Sequence, residues 1–562
     1  MSRATDSAGA EISGTAATFT IALAQGNFRV GSLRANAERI TAYHRAATRV
    51  HADLVVFPEM ALSGYPPQDL LFDCDFLDRH EQDLAQCAQL TRDGCALLLG
   101  AVRREDERLY NSAFLCADGA KIAAQDKREL PNRGVFDEKR YFQAGTASHV
   151  LRLGEIKLGV LICEDIWNPQ AASDLAAAGA DVLICLNASP FETGKQSERE
   201  ETCKARVQEC GLPLLYLNLV AVEDDLIFDG GSFVVGADGQ LAARLAALHE
   251  DVQAIRLIRD RGRWAVPQAA PAHPVPEDQL TYQALVLALR EFAGRNGYVG
   301  AVLGMSGGID SALCAAIAAD AFGPERVDAL FLPSPITSPE SRDDAFACAA
   351  NLGIACEEIS IAEGMRAFAA MAGPLPDAIL QENQTRQRAN LLLARSRETA
   401  RLLINTGNKS EMATGYTTIY GDMCGDYSPL KDVYKTRVYR LAAWRNGAGA
   451  PIPQRIFDKP PSAELAPGQR DEDQLPPYPV LDAILELLLE QGLSASEIVA
   501  RGYERALVDE VQGKLDAAQR KRHQAPPGPK ITRKALARER RYPISNGWRV
   551  ERAERAEGAS AE

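Results

Sequence analysis

The chain has 562 residues, of which 46% are hydrophobic and 25% charged; this is too long for one core and of ordinary globular composition, so two large domains or three smaller ones are expected. A net charge of −14 argues against nucleic acid or an anionic membrane as a partner, and there is no run of about 18 apolar residues to span a bilayer. The 12 cysteines are scattered, with no C-x-x-C pair, which disfavours a zinc ribbon, a thioredoxin-type motif and a disulfide scaffold; with no export-type apolar core near the start, a reducing cytoplasm is expected.

Residues 1–16 are small and polar and read as disordered. From Phe19 to Arg259, short apolar runs alternate with helical patterns. Ile21–Ala24, Leu54–Phe57, Leu97–Leu99, Leu158–Ile162, Val182–Ile184 and Leu214–Leu217 read as buried strands, and Ser32–His51 as a helix. The alternation predicts an α/β domain with layered sheets over 17–264.

Three residues in this half suggest amide cleavage. Glu59 follows the apolar run ending at Phe57-Pro58, Cys163 follows Leu158–Ile162, and Lys127 opens Lys127-Arg128-Glu129-Leu130-Pro131. Strand ends are where α/β folds collect chemistry. A cysteine can attack a carbonyl, a carboxylate can carry the proton, and an ammonium can stabilise the oxyanion. Each alone has a plain reading, a core thiol or a solvated charge; the three with their flanks do not. Phe57-Pro58-Glu59, Leu62-Ser63-Gly64-Tyr65-Pro66, Phe136-Asp137-Glu138-Lys139-Arg140-Tyr141-Phe142 and Cys163-Glu164-Asp165-Ile166-Trp167 resemble the nitrilase (carbon–nitrogen hydrolase) superfamily. Asn187-Ala188-Ser189-Pro190-Phe191 and Phe228-Asp229-Gly230-Gly231-Ser232 resemble the glutaminase domain of the glutamine-dependent NAD synthetases. The resemblance implies Glu59 as general base, Lys127 as oxyanion cation, Cys163 as nucleophile, and Tyr65, Glu138 and Ser189 as support for the glutamine site. Two places depart from the family pattern. Leu219-Val220-Ala221-Val222-Glu223 stands where a Gln and a Gly-Gly pair are usual, and Arg133 where an aromatic residue is common.

A Pro/Ala segment without periodicity, within 265–278, reads as an interdomain linker. A second α/β pattern then begins. The apolar Val299–Leu303 reads as a strand and Ala312–Phe322 as a helix, and between them lies Ser306-Gly307-Gly308-Ile309-Asp310-Ser311. Two glycines at a strand-to-helix turn let the backbone approach an anion, and the helix N-terminus attracts it. No Lys follows the second Gly, so this is not the Walker loop; it resembles the pyrophosphate loop of enzymes that activate a carboxylate as an adenylate. Asp328–Leu332 and Leu402–Asn405 read as later strands. Glu382-Asn383-Gln384-Thr385-Arg386-Gln387-Arg388 opens a helical stretch in which Arg386 and Arg388 stand about 200° apart, able to touch different groups. Thr406-Gly407-Asn408-Lys409-Ser410-Glu411 follows, with Tyr420-Gly421-Asp422, Lys431 and Lys435. Glu411 and Asp310 suit a magnesium ion between phosphates, and Lys435 suits a phosphate contact. Lys459–Tyr478, rich in Pro, Asp and Glu, reads as a long loop able to act as a lid.

These segments in this order resemble the synthetase domain of the same family, and Lys521-Arg522, Pro526-Pro527-Gly528 and Lys530 through Ile544 extend the match. Gly425-Asp426-Tyr427 and Arg395–Thr399 depart from its pattern. The resemblance implies an N-terminal nitrilase-like αββα sandwich and a C-terminal doubly wound parallel-sheet, Rossmann-like adenylating domain over 279–549, with a tail at 550–562. It implies ATP at Ser306, Gly307, Gly308, Asp310, Ser311, Arg386 and Thr406; deamido-NAD at Asn383, Arg388, Glu411, Asp422 and Lys435; and Mg2+ at Asp310 and Glu411. The expected reaction is ATP-dependent amidation of deamido-NAD through an adenylate, with ammonia from glutamine passing between the domains of a homo-oligomer. The alternatives are another ATP-dependent amidotransferase, a stand-alone amidase with a degenerate nucleotide domain, and a non-catalytic metabolite sensor.

Overall fold

The computed structural model describes residues 17–267, 274–536, 538–548 and 551; the expected disordered segment 1–16, the middle of the linker and most of the tail lie outside them. In the first half, two sheets pack face to face. One has seven strands in the order Arg263–Ala265, Asp251–Asp260, Thr18–Gln25, Leu54–Val56, Ala96–Glu105, Arg108–Ala117, Ala120–Asp126. The other has six, in the order Leu241–Arg244, Phe233–Val235, Leu214–Asn218, Val182–Asn187, Ile156–Ile162, Val150–Leu153.

Strand alternation sorts the side chains. Ile21, Leu23, Leu54 and Val56 meet Leu158, Val160, Ile162 and Ile184 between the sheets. Ala22, Ala24, Val55 and Leu97 face outward beneath Leu33–Arg49 and Cys74–Gln89. Leu161, Leu183 and Tyr216 face the opposite way, among the side chains that cover the second sheet, such as Leu175 and Cys203. Helix, sheet, sheet, helix is the expected αββα sandwich. All six strands expected here are present, and the expected helix 32–51 spans Leu33–Arg49 with Ser32 at its N-cap position.

The second half is built on a four-stranded parallel sheet in the order Ala355–Glu358, Val327–Phe331, Ala301–Gly304, Leu402–Leu403. The Ala-rich, mostly apolar helix Ile309–Phe322 is buried against one face, and Leu391 and Leu392 of the helix Asp377–Thr399 pack on Leu330 and Leu332 of the other. The stretch 459–478 is irregular, apart from a single turn at Asp471–Asp473 and a helix starting at Tyr478. It is tied down: Lys459 Nζ donates to Ser341 Oγ (2.8 Å), which donates to Glu464 Oε1 (2.5 Å).

The two halves share one apolar cluster, in which Phe191, Val222, Ile227 and Leu248 of the sandwich pack with Leu285, Leu289 and Tyr427. A late segment stitches them further. Lys530 N donates to Asp225 O (2.7 Å), Lys530 Nζ to Glu192 Oε1 (2.7 Å), and Thr193 N to Ile531 O (3.0 Å). The same segment is held to the second half by Asp432, whose Oδ2 accepts from Ile531 N and Thr532 N (both 2.8 Å).

Candidate active sites

Three strand ends converge in the first half. Glu59 lies just past Leu54–Val56, Cys163 directly follows Ile156–Ile162, and Lys127 directly follows Ala120–Asp126. Lys127 Nζ donates to Glu59 Oε1 (2.7 Å) and to Glu138 Oε1 (2.8 Å), and all three side chains are buried. Asn111 Nδ2 donates to Glu59 Oε1 (2.7 Å) and Ala188 N to Glu59 Oε2 (2.9 Å), which fixes the carboxylate plane. Tyr65 OH donates to Glu138 Oε1 (2.7 Å), while Glu138 Oε2 is buried with no hydrogen-bond partner among the described residues. Cys163 has φ +46°, in the left-handed region a β-carbon disfavours; such strain, about 1–3 kcal/mol, collects at functional sites.

The electrostatics are those of a charged cluster out of water. Burial works against the Lys127 charge, but the Glu138 and Glu59 carboxylates outweigh it and hold the ammonium well above its usual range. Burial, and then the neighbouring Glu59, push the Cys163 thiol up, with Lys127 pulling the other way. Burial lifts Glu138 to about 7 against the pull of Lys127. Burial therefore favours the uncharged thiol, and Glu59 and Lys127 both act on it through space. Ser189 is held by Arg199, whose Nε donates to its Oγ (3.2 Å) and Nη2 to its carbonyl (2.8 Å), while Asp229 balances the buried guanidinium (2.9 Å). A cavity of about 370 Å³ opens beside Tyr65, Phe136 and Glu138, with Arg538 and Arg541 of the late segment on its wall. All six first-half residues singled out from sequence thus lie in one region.

In the second half, the Ser306–Ser311 run follows Ala301–Gly304 and includes the first turn of the helix Ile309–Phe322. Gly307 has φ +73°, and a β-carbon there would lie 2.3 Å from Ser341 O, so only glycine fits. Ser311 is buried and shapes the turn, its Oγ donating to Gly308 O (3.0 Å), whereas Ser306 is exposed. Lys435 Nζ bonds to Asp310 Oδ2 and lies 3.6 Å from Glu411 Oε1. Asn408 Nδ2 donates to Asp310 Oδ1 (2.9 Å) and Asn408 N to Glu411 Oε2 (3.2 Å). Burial raises Glu411 to about 8 against the pull of Lys435, with Asp310 adding to the rise. Among the described residues no group of three or more metal-ligating side chains exists; two carboxylates beside a phosphate-type loop are nonetheless a sufficient protein share for Mg2+, which takes its remaining ligands from phosphates and water.

The other expected contacts spread along the helix Asp377–Thr399 and the loop after it. Arg386 Nη2 pairs with Glu382 (2.6 Å), while Arg388 Nε donates to Leu332 O (2.9 Å). Asn383 is buried, Thr406 lies in the loop before Lys409–Thr414, and burial lifts Asp422 to about 6. The departures from the family pattern acquire physical places. Glu223 accepts from Val30 N (3.0 Å) and pairs with Arg295 of the second half. Asp426 Oδ2 accepts from Leu403 N (3.0 Å) at the sheet edge, and Glu398 is solvent-facing. Sequence reasoning missed Asn111, Arg199 and Asn408. Asn111 was traceable as a polar residue at a buried strand position, and Asn408 as the cap before Glu411, but nothing marks Arg199 among its neighbours.

Fold and sites together define a two-centre enzyme, an amidase-type half joined to a nucleotide-activating half. The family model for carbon–nitrogen hydrolase matches residues 20–263 and that for NAD synthase residues 281–525. The chain is 46% identical over 546 residues to a glutamine-dependent NAD(+) synthetase of Rhodobacter capsulatus, covering 94% of this chain and 99% of the relative. It is 42% identical over 539 residues to one from Xylella fastidiosa, again covering 94% and 99%. A solved glutamine-dependent NAD+ synthetase from Acinetobacter baumannii, in complex with ADP, superposes with a TM-score of 0.77 at 37% identity, covering 95% of this chain and 99% of that one. One from Cytophaga hutchinsonii shares the fold, with a TM-score of 0.82 at 20% identity. The chain belongs to the glutamine-dependent NAD(+) synthetase family, ligases that form a C–N bond. Among the described residues no helix is long and apolar enough to cross a membrane.

Proposed function

We propose that this chain amidates deamido-NAD to NAD, drawing nitrogen from glutamine at Cys163 and energy from ATP at the Ser306–Ser311 turn. The observation that carries the reading is the buried Lys127 ammonium bridging Glu59 and Glu138 in the field of Cys163. Glu59 takes the thiol proton as sulfur attacks the glutamine side-chain carbonyl. Lys127 faces the developing oxyanion, and the returned proton leaves with ammonia. Water then cleaves the glutamyl thioester. Tyr65 and Glu138 keep Lys127 in place, and Ser189 forms part of the wall.

In the second half, the nicotinate carboxylate attacks the α-phosphate of ATP, forming an adenylate and releasing pyrophosphate. Ser306, Gly307, Gly308 and Ser311 cradle the phosphates at the helix N-terminus, with Arg386 and Thr406 near them. Asp310 and Glu411 would hold Mg2+, which supplies charge neutralisation at the phosphates. Lys435, now neutralised by those carboxylates, is freed toward the departing charge. Asn383, Arg388 and Asp422 face deamido-NAD, and ammonia displaces AMP. Uncharged ammonia needs a sheltered route, for which the shared interdomain core is the setting; residues 17–264 and 279–549 are the two working units of a cytoplasmic homo-oligomer.

The test is Cys163→Ala, given deamido-NAD, Mg-ATP and either glutamine or ammonium. Glutamine-dependent NAD formation should vanish and ammonium-dependent formation persist. Loss of both contradicts the division of labour.

A further inference from the structure

A glutaminase must tell glutamine from other amides, and the amide end cannot do so; recognition falls on the α-carboxylate and α-ammonium at the mouth of the site. Glu164 is the residue after the nucleophile, in the short turn Cys163–Trp167. Its Oε1 accepts from Arg133 Nη2 at 2.9 Å. Arg133 stands in the loop that runs on to Phe136 and Glu138 on the cavity wall, and its side chain is 77% exposed against 20% for Glu164. Arg133 does not itself line that cavity, and the two cations that do are committed. Arg538 pairs with Asp224 (3.3 Å) and Asp225 (3.2 Å), and Arg541 donates to Arg538 O (3.1 Å) and Gly134 O (3.3 Å). Arg133 is thus a guanidinium beside the nucleophile's turn, held to Glu164 by an ion pair whose cationic side is open to solvent, so that the guanidinium can exchange partners.

Resting on the reading above, we propose that Arg133 is the specificity-determining residue for glutamine, taking its α-carboxylate in a bidentate pair while the side-chain amide sits at Cys163. A planar guanidinium matches a carboxylate with two parallel N–H donors. The Arg133–Glu164 pair holds the cation at the rim until the substrate's own carboxylate replaces it. This is a position where the chain departs from its family's usual aromatic residue, so the recognition belongs to this chain and its like.

The experiment compares L-glutamine with its α-methyl ester, which lacks the carboxylate, measuring kcat and KM for ammonia release. The unaltered protein should favour glutamine by about tenfold or more, the worth of a charged hydrogen-bonded pair. Arg133→Gln should raise the glutamine KM by the same factor, keep kcat and abolish the preference, with Arg133→Lys restoring part of it. Equal loss for both substrates, or an unchanged glutamine KM, overturns the proposal while glutamine hydrolysis itself stands. No glutamate release by the unaltered protein would overturn the functional reading beneath it.

Discussion

Replacing Lys127 with the near-isosteric Met removes one charge from a site that depends on it. Glu59 Oε1 and Glu138 Oε1 lie 2.7 and 2.8 Å from the same nitrogen, so they are at most 5.5 Å apart. At an effective dielectric near 20, two unit charges at that separation repel by about 3 kcal/mol, equivalent to about two pKa units. Glu138 already titrates at about 7 with Lys127 pulling it down; without that pull its affinity for a proton rises, and at neutral pH the carboxyl pair carries a proton. The variant therefore loses the oxyanion cation and half of its proton-accepting charge together. Glutamine hydrolysis should fall by at least about 10³ in kcat, with residual activity rising as pH increases from 7 to 9. Ammonium-dependent NAD formation should be unchanged. Glutamate release and NAD formation measured in parallel decide it; hydrolysis within about tenfold of the parent, or a matching loss of the ammonium reaction, refutes the reasoning.

Two further tests probe the second half and the join. Gly307→Ala places a β-carbon 2.3 Å from Ser341 O at φ +73°, so the turn must shift; NAD formation from either nitrogen source should drop at least about tenfold while Cys163-dependent glutamine hydrolysis stays measurable, and wild-type NAD formation would contradict the turn's role. Burial lifts Glu539 from 4.5 to about 7 against the pull of Lys530. The folded state thus holds this proton more tightly than the unfolded one, and its contribution to stability is present below pH 4.5 and lost as pH rises through 7, by up to about 3 kcal/mol. Glu539→Gln should flatten the fall in Tm between pH 5 and 8 measured by dye-monitored melting; parallel profiles for both proteins would refute the assignment.

How much was legible follows from where each residue gets its neighbours. Glu59 and Cys163 stood out because each ends an apolar run, and Gly307-Gly308 because a strand and a helix flank them. Lys127 did not read as a strand end, since Ala120–Asp126 is an edge strand with mostly exposed or half-exposed side chains, and the apolar signal needs a buried face. Arg199 is one arginine in a highly charged helix, and only tertiary packing sets it on Ser189. The join between the halves was invisible because Lys530 and Glu192 are 338 positions apart, and spacing says nothing at that range.

The segment bearing Lys530 behaves as a seam. Because it is laced to Asp225, Glu192 and Thr193 on one side and to Asp432 on the other, swinging the halves apart would strand a buried ammonium and several backbone groups at once. The two halves are therefore held as one unit along this segment, and a separation of the domains would have to break these bonds together. Severing the linker peptide would by the same logic leave a nicked but undivided enzyme.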